Sequence, residues 1–385
     1  MPRILHAADL HLSEADRDYS LAVFAELIEA AHRERVDYLV FCGDLFNTFA
    51  DAEKLRGDFR RILGAPPFEF LYLPGNHEDL QRGSGELARL DWGAATVLHA
   101  RPFELLRRDR GGLPIEFLAI PHQGNYNGYG NWQVPPKEAP VRIALAHGVV
   151  AGMAFRGPDD EGGGAALDPD LFLRYRVDYA ALGHIHGRRC QKTGTLILAY
   201  PGSTRVWRKH ESGPRGAYLL DVNAGATSNG GTTPNSGALA EPTFIPLASA
   251  GEYRHYSLPL GLEGDIPDLD RIASGWGRAD HIELDFTGLV EDERVVAKLA
   301  ETLRERYAPQ VRRLDIEREG VSAFPGIASH PIVKQFLAVW NQRMPRLPAI
   351  ENPNLASSQA TEHAVWVRAR EMALNSLKAH LERNA

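Results

Sequence analysis

Residues 4–11 read Ile4-Leu5-His6-Ala7-Ala8-Asp9-Leu10-His11, a short apolar run that stops at a carboxylate and an imidazole two positions apart. A near-continuous apolar run of this length reads as a strand buried on both faces. In extended backbone, residues two apart point to the same side, so Asp9 and His11 can approach one ion together. The pattern then recurs along the chain. The run 38–42 ends in Gly43-Asp44, 68–73 in Gly75-Asn76-His77-Glu78, 143–146 in His147-Gly148, and 179–182 in Gly183-His184-Ile185-His186. Runs at 117–120, 196–200 and 217–220 extend the strand series to residue 222. Between the first two runs, Leu21, Phe24, Leu27, Ile28 and Ala31 repeat at helical spacing over 20–35, and a second helix is predicted over 52–63. The chain thus opens as βαβαβ, an α/β fold whose site forms where strands pass into loops.

Taken singly, an Asp-x-His is usually surface or capping chemistry and a Gly-Asp a turn. Five strand ends carrying such groups, all placed at one sheet edge by the topology, point instead to a metal centre. Its donors would be two carboxylates (Asp9, Asp44), one amide (Asn76) and four imidazoles (His11, His147, His184, His186), more than one ion needs. The mixture suits Mn, Fe or Zn better than Ca, which prefers all-oxygen shells. Two ions are therefore expected, with Asp44 as the bridge. Together they would leave a net positive centre able to attract a phosphate oxyanion and lower the pKa of a bound water, the chemistry of phosphoester hydrolysis. Of the remaining histidines, His6 and His122 are assigned to core packing near strand ends, and His32, His99, His255, His330, His363 and His380 to solvated faces.

The chain has 385 residues, which predicts two or three domains. Residues 223–243 are polar, small and rich in Gly, Ser, Thr and Asn, and read as a flexible linker. Beyond it, strands at 244–247, 281–286 and 311–316 with a helix over 292–307 predict a small α/β domain over 244–327. The segment 328–385 reads as helical. Ile332, Val333, Phe336, Leu337 and Trp340 form one stripe, and Val365, Ala369, Met372, Ala373 and Leu377 another, separated by Pro345, Pro348 and Pro353.

With 43 Lys and Arg against 50 Asp and Glu, the formal charge is −7, the wrong sign for binding a polyanion by bulk electrostatics. A local basic run does follow His186: Arg188, Arg189, Lys192, Arg205, Arg208, Lys209 and Arg215 stand against the single acid Glu211, with Trp207 among them. It reads as a phosphate-tracking groove, with Arg188, Arg189, Arg205, Arg208 and Lys209 as the candidate DNA-binding residues. Two cysteines without a CxxC pair offer neither a disulfide framework nor a thiolate zinc site. No signal-peptide pattern and no apolar run of membrane-spanning length is read, so a cytoplasmic protein with no membrane partner is expected.

In order and spacing, Asp9-x-His11, Gly43-Asp44, Gly75-Asn76-His77-Glu78, His147 and Gly183-His184-x-His186 resemble the signature of the calcineurin-like metallophosphoesterases. Within that superfamily, Gly43-Asp44-Leu45-Phe46, the stretch from Ala181 to His186, and Tyr200-Pro201-Gly202-Ser203 are similar to the SbcD-type DNA repair nucleases. The resemblance covers residues 1–222 well and the second domain more weakly. It implies a sandwich of two β-sheets flanked by helices, followed by an α/β capping domain and C-terminal helices. It further implies that Asp9, His11 and His186 hold one ion, that Asn76, His147 and His184 hold the other, that Asp44 bridges them, and that the metal is manganese. His77 would protonate the leaving oxygen, with Glu78 available to orient it, while Asn47 departs from the His or Asp that some members carry there. The implied activity is DNA-end processing by a homodimer, with the C-terminal helices docking an SbcC-like, SMC-type coiled-coil ATPase. Two rivals stand beside this: a stand-alone phosphoesterase acting on a small nucleotide or phosphoprotein, and an inactive partner-binding scaffold.

Overall fold

A computed structural model describes residues 1–78, 84–110, 112–153, 165–222, 239–262, 264, 266, 269–343 and 358–384. The chain divides into two units, Met1–Gly251 and Glu252–Ala385. In the first unit two six-stranded sheets form. The first runs, in spatial order, Thr243–Pro246, Gly216–Asp221, Arg3–Ala7, Tyr38–Cys42, Glu69–Leu73 and Ala95–Val97. The second runs Arg189–Thr193, Leu196–Tyr200, Tyr179–Gly183, Val141–His147, Leu113–Ile120 and Glu104–Arg110. The central pairings of both are parallel, and in the second sheet the two outermost strands pair antiparallel with their neighbours.

The unbroken apolar runs follow from this layering. Alternate residues of each strand face opposite layers, and both layers are dry. Ile4, Val40 and Leu71 of the first sheet meet Ile143, Leu145, Tyr179 and Ile197 of the second between the sheets. Leu5, Leu39, Phe41 and Phe70 point the other way, against Phe24 and Leu27 of helix Arg17–Arg33 and Leu55 and Phe59 of helix Phe49–Leu63. On the outer side of the second sheet, Ala144, Ala180 and Leu182 pack with Leu171 and Phe172 of helix Pro169–Arg174. This is the two-sheet sandwich that the resemblance implies.

The boundary expected at residue 244 is displaced. Phe244 and Ile245 pair with Tyr218 and Ala217 at the edge of the first sheet, and Leu247 N–H donates to the Arg215 carbonyl, so this strand belongs to the first unit. The second unit begins with Tyr253–Pro259, a strand with too many polar positions to stand out in the sequence, which pairs in parallel with His281–Val290 and, through it, with Arg313–Ala323. Helix Glu293–Tyr307 covers one face, laying Val296, Ala300, Leu303 and Tyr307 on Ile282, Leu284, Phe286 and Ile316. Helices Pro331–Arg343 and Ser358–Asn384 follow. Val333 and Leu374 are buried with Leu262, Leu289 and Ile327, while Ile332, Val365 and Met372 stay exposed. Residues 223–238 of the expected linker, and Pro345, Pro348 and Pro353, lie outside the described residues. Among the described residues no helix is long and apolar enough to cross a membrane.

Candidate metal centre

The strand-end groups converge, but not by strand alternation. Arg3–Ala7 and Tyr179–Gly183 end before their ligand-type residues, and Asp9, His11, Asp44 and His184 all lie in the left-handed region, at φ 54°, 50°, 52° and 98°. Such backbone costs about 1–3 kcal/mol per non-glycine residue and persists only where neighbours over-determine it. Here the loops after the first two strands are zipped together: Asp9 N–H donates to the Gly43 carbonyl (3.0 Å), His11 N–H to Asp44 (2.9 Å) and Leu12 N–H to Leu45 (2.8 Å). Gly75 permits the approach of the third loop, because a Cβ there would lie 2.2 Å from Asp44 Oδ1.

Three donor groups result, each with its ligand atoms mutually within 4.8 Å: Asp9, His11 and His186; His11, Asp44 and His77; and Asp44, His147 and His184. Asn76 adds an oxygen. All are buried except Asn76 and His77, which are half-buried. The imidazoles are locked by what lies behind them. A carbonyl can only accept, so His147 Nδ1 donates to the Cys42 carbonyl (2.9 Å) and presents Nε2 to the site, 2.8 Å from Asn76 Oδ1 and 3.3 Å from Asp44 Oδ2. His186 Nδ1 donates to the Glu211 carboxylate and turns Nε2 toward His11 Nε2, 3.3 Å away. His184 Nδ1 lies 3.1 Å from the same Asn76 oxygen, and the His184 N–H donates to both oxygens of Asp9 (3.0 Å each). Lone-pair atoms facing one another at these distances need a cation or a proton between them, so the residues fit divalent metal.

Without metal, protons carry that charge. Burial disfavours a charged His147, yet Asp44 and Asp9 beside it push its pKa up to about 10. Burial raises Asp9 to about 7 against the pull of His147 and His186. Burial would also raise Asp44, but His147, His11 and His77 hold it well below the usual carboxylate range. Burial drives His11 well below its ordinary value.

His77 stands at the rim of these groups. Its main-chain N–H donates to Asp44 Oδ1 (2.9 Å), and its Nδ1 donates to the Asn47 carbonyl (2.9 Å), which fixes the orientation of the ring. The orienting role expected of Glu78 is thus corrected. Glu78 is buried under the turn and accepts from the N–H groups of Asp44, Phe46 and Gly75 and from Tyr72 OH. It braces the loop, and because the Asn47 contact is main-chain, the side chain at 47 is immaterial to it.

The basic run also needs correction. Arg205 is 1% exposed, with its guanidinium donating to the carbonyls of Leu10 and His11 (2.6 Å each) and pairing with Asp16. It buttresses the Asp9–His11 turn and is not part of a surface groove. Arg215 is likewise turned inward, onto the His186 carbonyl (2.7 Å). Arg188 is exposed, its guanidinium carbon 4.0 Å from the centroid of Phe244; Arg208 lies 4.2 Å over Trp207; Arg189 and Lys209 are half-buried. His6 is a core residue, as expected: it bonds the Tyr179 hydroxyl (2.9 Å) and the Leu182 carbonyl (3.1 Å). The sequence pattern assigns neither Glu211 nor Trp207 to the metal centre. Glu211 reads there only as the lone acid of a basic run, an isolation that is its one signal; Trp207, which reads as part of that run, lies flat on His11, centroids 3.8 Å apart at 5°.

Paired buried imidazoles and carboxylates at the strand ends of a two-sheet sandwich define a metal-dependent hydrolase centre. Residues 2–188 match the family model of the calcineurin-like phosphoesterases, and this part of the chain is a calcineurin-like metallophosphoesterase domain, of a hydrolase family. The chain is similar to the uncharacterized metallophosphoesterase YhaO of Bacillus subtilis, with 26% identity over 247 residues covering 58% of each protein. It is also similar to the DNA double-strand break repair protein Mre11 of Saccharolobus solfataricus, with 26% identity over 244 residues covering 58% of this chain and 61% of that one. These matches span about three-fifths of the relatives' lengths. A solved dimetal phosphatase from Danio rerio aligns with 57% of this chain and 92% of its own at 11% identity and a TM-score of 0.40.

Proposed function

We propose that the chain is a two-metal DNA phosphodiesterase of the SbcD type. One ion would be held by Asp9, His11 and His186 and the other by Asn76, His147 and His184, with Asp44 shared, and manganese is the metal we expect. When bound, the ions supply Lewis acidity toward a phosphate oxygen and a water of lowered pKa. The protein's own part is to hold this cluster dry and rigid, and to present His77 Nε2 as the proton donor to the leaving oxygen. The observation that carries the reading is the tautomer lock: the Cys42 carbonyl behind His147 and Glu211 behind His186 aim both Nε2 lone pairs inward, which a scaffold without metal chemistry has no need of. DNA as substrate rests on the likeness to Mre11 and the motif resemblance, and so do the proposed partners, a coiled-coil ATPase and a second copy of this chain. The small-substrate reading is kept as a second one because Arg205 and Arg215 are turned inward, which thins the basic track.

The test is cleavage of linear single- and double-stranded DNA beside a small chromogenic phosphodiester, with added manganese, with chelator, and with Asp44→Asn protein. Cleavage of both substrate types that requires manganese and Asp44 is expected. Full hydrolysis in chelator or by Asp44→Asn would overturn the two-metal mechanism, and cleavage of the small ester alone would return the small-substrate reading.

A further inference from the structure

We propose that Glu211 is the positioning residue of one metal site and not the other, acting on His186 directly and on His11 through Trp207. The inference rests on the two-ion reading above. Glu211 is 1% exposed and spends both oxygens as acceptors. Oε1 takes the His186 Nδ1–H; Oε2 takes the main-chain N–H of Trp207 (2.8 Å) and the Ser203 hydroxyl (3.4 Å). That N–H anchors the indole whose face lies 3.8 Å from the His11 ring at 5°, and the Arg208 guanidinium sits 4.2 Å from the indole centroid. One carboxylate therefore fixes the tautomer and ring plane of His186 and, one residue removed, the surface against which His11 is laid. These are the two imidazoles whose Nε2 atoms face each other. His147 is held by different groups, the Cys42 carbonyl at its ring and the Tyr126 hydroxyl on its own carbonyl (2.7 Å). A carboxylate behind a ligating imidazole raises its basicity and fixes its orientation, and losing it weakens metal binding by about 10–100-fold.

Glutamine cannot replace it. Glu211 accepts on both oxygens, whereas an amide has one acceptor oxygen, so Glu211→Gln sets an NH2 against either His186 Nδ1–H or Trp207 N–H. In the full-length protein, stripped with chelator and titrated with manganese, calorimetry of wild type should give two ions and electron paramagnetic resonance an exchange-coupled pair. Glu211→Gln should keep one ion at wild-type affinity and weaken the other by about 10–100-fold, leaving the resonance signal of an isolated Mn2+ at concentrations that fill both wild-type sites. Trp207→Leu, which removes the stacking surface and leaves the carboxylate, should weaken the same single site. If Glu211→Gln loses its thermal transition, Trp207→Leu decides alone. Equal loss of both ions, or two ions bound as in wild type, would overturn the inference. Wild-type protein that takes up no second ion would instead overturn the two-ion reading, and this inference with it.

Discussion

Replacing Arg205 by glutamine tests whether the basic run following His186 is a DNA track or a structural strut. The guanidinium of Arg205 reaches two buried carbonyls, Leu10 and His11, and an ion-pair partner, Asp16, whose side chain is 34% exposed. Each buried carbonyl left without a donor costs about 1–3 kcal/mol, whereas the Asp16 pair, screened by solvent, adds at most about 1 kcal/mol. The sum is about 2–7 kcal/mol, and at about 2–4 °C per kcal/mol for a domain of this size the first unit should melt about 4–28 °C lower. Calorimetry in chelator reads this without a contribution from metal binding. Because both carbonyls belong to the left-handed turn that carries Asp9 and His11, hydrolysis of a small phosphodiester should fall in the same variant. Lys192→Gln, on the exposed edge strand Arg189–Thr193, should move the midpoint by no more than a degree or two. An Arg205→Gln protein with an unchanged midpoint and intact small-ester hydrolysis, but weakened and less salt-dependent DNA binding, would refute the strut and restore the phosphate track.

Three further outcomes are expected. His77→Ser should retain two metal ions by elemental analysis yet lose phosphodiester cleavage by about 10²–10⁴; loss of an ion would make His77 a ligand. Burial lowers His6 from 6.5 to about 3, so the unfolded chain protonates first and stability is full above pH 6.5 and falls as pH drops toward 3, by up to about 4–5 kcal/mol; urea midpoints of His6→Gln in chelator should show a shallower pH slope than wild type, and equal slopes would discard the assignment. Gly75→Ala, whose Cβ would lie 2.2 Å from Asp44 Oδ1, should displace that carboxylate and abolish hydrolysis while the far-ultraviolet spectrum stays native, and a fully active variant would show that the loop can yield.

The central strands were legible because their two faces are both dry, so every residue must be apolar and no alternation can hide them. Their polar neighbours were not. Glu104–Arg110 and Arg189–Thr193 lie at the edges of the second sheet, where charged residues are tolerated on the open side, so no apolar run marks them. The ligand types at the strand ends were also legible, but their convergence was attributed to extended backbone. The real cause is the left-handed turns at Asp9, His11, Asp44 and His184, which residue type does not announce. The roles of Glu211 and Arg205 are hidden in the sequence for a shared reason. Charge counted along a run treats each residue as solvated, whereas both are 1% exposed and act on partners far away in sequence: Glu211 on His186, and Arg205 on the Leu10–His11 turn.

Each candidate ion site draws on both sheets, which bears on why so much charge is tolerated inside the first unit. Asp9 and His11 follow a strand of the first sheet and His186 one of the second; Asn76 follows the first, while His147 and His184 stand at ends of the second. Neither of these two ligand sets could be assembled from one sheet alone, and an uncompensated cluster between the sheets would oppose their packing, since buried charge costs several kcal/mol unless paired. The protons held by Asp9 at about 7 and His147 at about 10 supply the pairing when metal is absent. Metal binding would displace them, because a ligating carboxylate or imidazole nitrogen must be deprotonated. The same cross-sheet contacts that build the site therefore couple metal uptake to proton release and to the cohesion of the two sheets. Behind the ligands, Glu78 braces the Asp44 loop by accepting from the N–H groups of Asp44 and Phe46.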